Sequence, residues 1–132
     1  MSTEDSIRKF LLDYCTAFRP GNIVAVAEFY NVPLTMISDG RVAVVDDRSK
    51  IISIFNATMA DLAGKGFDHS RVDNCAVHPL TDNTALISAT FSRLKSDGSI
   101  LERLGATYTV INDGDNYKIA TLIAHAPQAL IN

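Results

Sequence analysis

At 132 residues the chain has the length of one compact domain, enough to bury a core without disulfide or metal staples. Its 47% hydrophobic and 20% charged residues, with no apolar run of bilayer-spanning length, exclude a disordered chain and a membrane-spanning helix. Twelve basic against fifteen acidic residues give a formal charge of −3, and the absence of a basic stripe or Lys/Arg-aromatic interleaving excludes nucleic acid as a partner.

The opening MSTEDSIRKF is charged and lacks the basic-then-apolar layout of a secretory signal, so a cytoplasmic protein is expected. Ile7, Phe10, Leu11, Tyr14, Ala17 and Phe18 recur at helical spacing, with Ser2, Thr3 or Asp5 available as the N-cap. That first helix must stop near Arg19, because Pro20 has no amide hydrogen and Gly21 readily leaves helical geometry. Asn22 can cap a second helix carrying Ile23, Val26, Ala27 and Tyr30. LTMI, the pair Asp39-Gly40 and RVAVV then read as a hairpin, which makes Asp39 a turn residue in preference to a catalytic base. Asp46 or Asp47 can cap a third helix with Ile52, Phe55, Met59 and Leu62 on its apolar stripe. Gly64 and Gly66 end it, and the GKG they frame lacks the length and Ser/Thr of a phosphate loop.

After Gly66 come four β-rich runs, FDHSRVDNCAV, TALISATFSRL, ILERLGATYTVI and YKIATLIA, separated by PLTDN, KSDGS and NDGDN. Short connections favour antiparallel neighbours. The order α-α-ββ-α-ββββ, without repeat or linker, predicts a single α+β domain over residues 1–132, its curved antiparallel sheet packed against three helices.

Cys15 and Cys75 stand far apart and outside any CxxC pair, so free thiols are expected. His69, His78 and His125 are scattered, which argues against a metal site, and no cofactor signature is visible.

The element order, together with YCTAFRPGNIVAVAEFY and INDGDNYKIATLIAH, resembles the nuclear transport factor two-like superfamily, which includes ketosteroid isomerases and SnoaL-like cyclases. The resemblance implies a cone, a strongly bent sheet closed by three helices around a pocket. GSILERLGATYTV and YKIATLIAH also look like small SnoaL-like proteins, a group that implies no particular activity. Ketosteroid isomerases use a helix-one tyrosine, a proton-shuttling aspartate and a protonated aspartic acid. The match puts Tyr14 at the tyrosine, but Ser38 and Thr107 at the two aspartates. A serine is no unaided base and a threonine no buried acid, so steroid isomerisation by that mechanism is not expected.

Strand alternation groups Thr121, Ile123 and His125, and the resemblance implies that this side lines the mouth of the cone. The expectation is therefore a mostly apolar pocket for a small organic ligand. In it Tyr14, Ser38, Thr107, Thr121 and His125 would offer polar atoms, and Phe18, Met36, Phe55 and Ile123 apolar walls. One alternative is an isomerase, cyclase or hydratase in which His125 moves a proton and Tyr14 stabilises an oxyanion. Another is a non-catalytic module that works through its sheet, where the resemblance implies homodimerisation. Ser88, Thr90 and Ser92 lie there at every second residue. Arg103 reads as a surface cation paired with an acidic neighbour, and Asp68 and His69 as exposed.

Overall fold

A computed structural model describes residues 2–131. The elements are α1 (Thr3–Ala17), α2 (Ile23–Ala27), β1 (Tyr30–Ser38), β2 (Arg41–Val45), α3 (Arg48–Gly64), β3 (Phe67–Thr81), β4 (Thr84–Lys95), β5 (Ile100–Asn112) and β6 (Tyr117–His125). A 3-10 turn at Pro127–Ala129 follows them. The six strands form one curved sheet in the order β2-β1-β6-β5-β4-β3. No helix among the described residues is long and apolar enough to cross a membrane.

Helix α1 starts where Ser2 Oγ accepts the amide of Asp5 at 3.1 Å, and α3 starts where Asp47 accepts that of Ser49 at 2.7 Å. Ile7, Leu11, Tyr14, Cys15 and Phe18 are the buried stripe of α1, while Ile51, Phe55, Met59 and Leu62 are that of α3. Helix α1 packs on β3, tied there by Arg8 Nη1, which donates to the Cys75 carbonyl at 2.9 Å. The second helix is shorter than its apolar spacing suggests. It ends at Ala27, and Tyr30 opens β1.

The strands of the meander β3 to β6 are antiparallel neighbours, as is the β1-β2 hairpin. The pair β1-β6 departs from the antiparallel expectation by running parallel. Its two strands are joined through α3 and the whole meander, a connection long enough to reverse direction freely. Asp39 and Gly40 both have positive φ, 50° and 75°, the backbone that a two-residue hairpin turn demands, so Asp39 is a turn residue. Pro79 sits in β3, an edge strand, where a proline is tolerated because one side of the strand has no ladder partner.

The side-chain phase of the sheet changes inside β6. Val110 pairs with Ile119 but its neighbour Thr109 pairs with Thr121, which leaves Ala120 as an extra residue. Such a bulge reverses which face each following side chain takes. Ile119, Leu122 and Tyr108 therefore face the helices, and Thr121, Ile123 and His125 face the other way.

On that outer face the last residues fold back over the sheet. His125 Nδ1 donates to the Ala126 carbonyl at 2.8 Å, and because a carbonyl only accepts, this nitrogen carries the proton. In the neutral ring, Nε2 then accepts from Thr107 Oγ1 at 2.7 Å. Thr107 bonds Ser88 at 2.9 Å, and Ser88 Oγ accepts the Ile131 amide at 3.0 Å. Gly105 is the floor of this clasp: a Cβ there would stand 2.6 Å from His125 Nδ1 and 2.7 Å from the Ala126 oxygen. Gly105→Ala is accordingly expected to displace the histidine and lower stability by about 1–3 kcal/mol, measured as a shifted urea midpoint. An unchanged midpoint would mean that the clasp adds nothing to the fold.

Candidate ligand cleft on the concave face

Three tyrosines from three elements meet beneath α1. Tyr14 comes from α1, Tyr30 from the start of β1 and Tyr108 from β5, each at most 6% exposed. The Tyr14 and Tyr30 hydroxyls lie 2.5 Å apart, and Tyr108 packs beside them. The Tyr14 ring packs edge-on against Tyr30 and Tyr108 with centroids 5.7 and 5.9 Å away, and Phe55 stacks on Tyr30 at 4.7 Å.

This environment fixes the protonation of the cluster. Burial pushes Tyr14 up from 10.0 to about 12, although the bond from Tyr30 and the charge of Arg93 pull the other way. Burial also drives Tyr30 and Tyr108 well above the ordinary phenol range, and Tyr14 adds to both shifts. All three are neutral hydroxyls at physiological pH.

Beside the cluster lies a cleft of about 40 Å³, lined by Tyr14, Cys15, Phe18, Phe91, Arg93 and Tyr108 among others. That space takes water or a ligand of few heavy atoms. Burial lifts the Cys15 thiol to about 11, with the charge of Asp73 adding to the shift, so it is a neutral wall and not a nucleophile. Arg93 stands over the Phe18 ring, its guanidinium carbon 5.9 Å from the centroid, and donates from Nη1 to Glu102 at 2.6 Å. Two larger grooves, 440 Å³ between α2 and α3 and 460 Å³ beside Phe10 and Tyr117, lie on the surface away from the tyrosines.

The residues singled out in the sequence divide between the two faces. Tyr14 and Phe18 line the cleft, and Phe55 and Met36 belong to the core on the same side. Ser38 ends β1 in an exposed position and takes no part in the cleft lining. Thr107, Thr121, Ile123 and His125 are on the outer face, a correction to the expected convergence of Tyr14, Ser38, Thr107 and His125. For Thr121, Ile123 and His125 the cause is the Ala120 bulge, and for Thr107 it is the β5 alternation against inward-facing Ala106 and Tyr108. Ser88, Thr90 and Ser92 share that outer face but are buried within the single chain, at 1%, 6% and 0% exposure. Ser92 donates to Asp73 at 2.6 Å, and Asn74 to Thr90 at 3.2 Å. Burial raises the Asp73 carboxyl, but the bonds from Ser92 and Arg71 and the charges of Arg71 and Arg103 outweigh it and hold it below the usual carboxylate range. His69 bonds the Asp68 carboxylate at 2.7 Å, both of them part-exposed. Among the described residues no three metal-ligating side chains gather.

A family model described as "NTF2-like protein (DUF6841)" matches residues 3–127. The chain belongs to this NTF2-like family. No curated protein matches its sequence. Solved structures share the fold at low identity. An NTF2-like protein with a cystatin-like fold from Novosphingobium aromaticivorans is 16% identical, with 95% of this chain and 82% of that one covered at a TM-score of 0.72. The yeast UBP3-associated protein BRE5 is 18% identical, covering 100% and 98% at 0.73. A dehydratase candidate of the NTF2-like family from Streptomyces avermitilis is 14% identical, covering 94% of each chain at 0.70. At these identities the likeness is one of fold.

In this NTF2-like chain, sequence reasoning missed Tyr30, Arg93 and Tyr108. Ala106, Tyr108 and Val110 alternate as apolar residues on β5 against Gly105, Thr107 and Thr109, and that contrast was the available signal for the inward face.

Two outcomes test the cluster. Tyr14→Phe leaves the Tyr30 hydroxyl short of its buried partner and should cost about 1–3 kcal/mol in chemical denaturation. The unfolded phenol ionises near 10 while folded Tyr14 holds its proton to about 12, so the folded state binds more protons in that window. Its contribution is intact below pH 10 and falls by roughly 2–3 kcal/mol as pH rises to 12, and Tyr30 and Tyr108 act in the same direction. Unfolding free energies that stay flat from pH 9 to about 11.5 would contradict this picture.

Proposed function

We propose that this protein binds a small organic molecule in the concave-face cleft, a ligand of few heavy atoms with an apolar body and one polar group. The observation that carries the reading is the cleft of about 40 Å³, where Phe18, Phe91 and Leu104 supply apolar wall next to the polar atoms of Tyr14, Ser70, Tyr108 and Arg93. This is the composition of a small-molecule site, at a size well below the roughly 300–1,000 Å³ of sites for drug-sized ligands. Binding is favoured over proton transfer because the lining holds no carboxylate or imidazole, and its thiol and phenols keep their protons at neutral pH. An isomerase, cyclase or hydratase built on Tyr14 and His125 would need both on one face of the sheet. The free thiols Cys15 and Cys75 fit a reducing, cytoplasmic compartment.

Small organic compounds titrated against the protein by two-dimensional amide NMR should shift Phe18, Phe91 and Leu104 saturably at millimolar concentration. Leu104→Trp, which would fill the cleft, should remove the response. Equal responses in wild type and variant would sink the reading.

A second reading, self-association through the outer sheet face, has its own support. Val42 and Val44 are 65% and 64% exposed on the β2 edge, in register with Ile37 and Thr35 and, through Ile37, with Ile123 on β6. Ser92 and Thr90, buried within one chain, are poor probes of such an interface, whereas Val42→Asp with Val44→Asp should weaken a dimer by at least about tenfold in sedimentation velocity. A wild-type protein that stays monomeric at high micromolar concentration would remove this reading.

A further inference from the structure

We infer that the ligand of the concave-face cleft is a monocarboxylate, with Arg93 as the residue that selects it and Glu102 as the internal carboxylate that holds Arg93 when the cleft is empty. The inference rests on the binding reading above and specifies its ligand class.

Arg93 is the one lining residue that carries a charge at neutral pH, since Tyr14, Tyr108 and Cys15 are held neutral by burial. The cleft wall therefore carries one cation, offset from the rim by the Glu102 carboxylate. The same charge acts on the Tyr14 and Tyr108 hydroxyls, favouring the ionised form of each, so its field reaches the buried end of the site. An anionic oxygen entering there gains that field together with hydroxyl donors, while a cation meets repulsion.

The guanidinium is also under-used. It presents five N–H donors in a planar fork, and among the described residues its hydrogen-bond partner is Glu102, through Nη1 at 2.6 Å. Nε and Nη2 remain available for the two oxygens of a carboxylate, the geometry in which arginine binds most specifically. Phe18 lies beside the guanidinium, its ring centroid 5.9 Å away, and the Arg93 side chain is 20% exposed, so the fork is partly dried without being sealed. Glu102 is 45% exposed at the rim and can turn to solvent when a ligand carboxylate takes its place. Phe91 and Leu104 then receive a short aliphatic body, and the cleft volume limits how long that body can be.

The test uses isobutyrate and its neutral isostere isobutyramide, titrated by amide NMR into wild type, Arg93→Gln, Arg93→Lys and Glu102→Gln. Isobutyrate should shift the cleft amides saturably, and isobutyramide should bind at least about tenfold more weakly. Arg93→Gln should lose about tenfold or more in isobutyrate affinity, Arg93→Lys should fall between it and wild type, and Glu102→Gln should gain severalfold by freeing the fork. The same spectra report whether each variant is folded. Equal binding of the amide, or undiminished isobutyrate affinity in folded Arg93→Gln, overturns the carboxylate assignment while leaving the cleft a binding site. No cleft response to either compound, or to any other small molecule, overturns both.

Discussion

The structure depends on three tyrosines from three elements being buried against one another. A hydroxyl taken out of water without a partner costs about 1–3 kcal/mol, so Tyr14 and Tyr30 are buried where their oxygens meet, with the Tyr108 ring edge-on to Tyr14. Meeting fixes the position of α1 over the sheet, the entry of β1 beneath it, and the face of β5 that turns inward. Phe55 stacked on Tyr30 extends the constraint to α3, and Phe18 edge-on to Phe55 returns it to α1. The cleft lies at the border of this aromatic cluster, where Arg93 and Leu104 replace rings.

The sheet divides labour between its faces. The concave side carries rings, aliphatics and few polar groups, neutral phenols and the Arg93–Glu102 ion pair among them. The outer side carries hydroxyls and charged groups that are occupied with one another. Ser88, Thr107 and His125 hold the tail, and Ser92, Asp73 and Arg71 form an ion-paired band. A hydroxyl-rich strand in a sequence suggests a ligand-facing surface, but hydroxyls that bond across strands and to a tail amide are equally well served on a face without any ligand.

Much of the architecture was legible in the chain. The 3.6-residue spacing from Ile7 to Phe18 and from Phe55 to Leu62, the Asp39-Gly40 turn and the turn-rich separators between the late strands each have a local physical cause, and each led to the element observed. Tyr30 was harder to read, because its spacing continues that of α2 although the helix stops at Ala27. The candidate site was legible only in Tyr14 and Phe18, which lie on a helix whose buried stripe repeats without interruption. Thr121, Ile123 and His125 were misjudged because period two is carried from neighbour to neighbour, and a single inserted residue inverts everything beyond it.

The sequence by itself determined the element order, the caps, the hairpin turn and the aromatic stripe of α1, since these follow from propensity and periodicity within a few residues. Tertiary structure alone decided that β1 and β6 run side by side in parallel, that Ala120 is the extra residue, and that His125 therefore turns away from Tyr14. It also decided that Arg93 stands over Phe18 with most of its donors unspent. Strand pairing joins residues some ninety positions apart, and no local signal records which register they will adopt until the core has been packed.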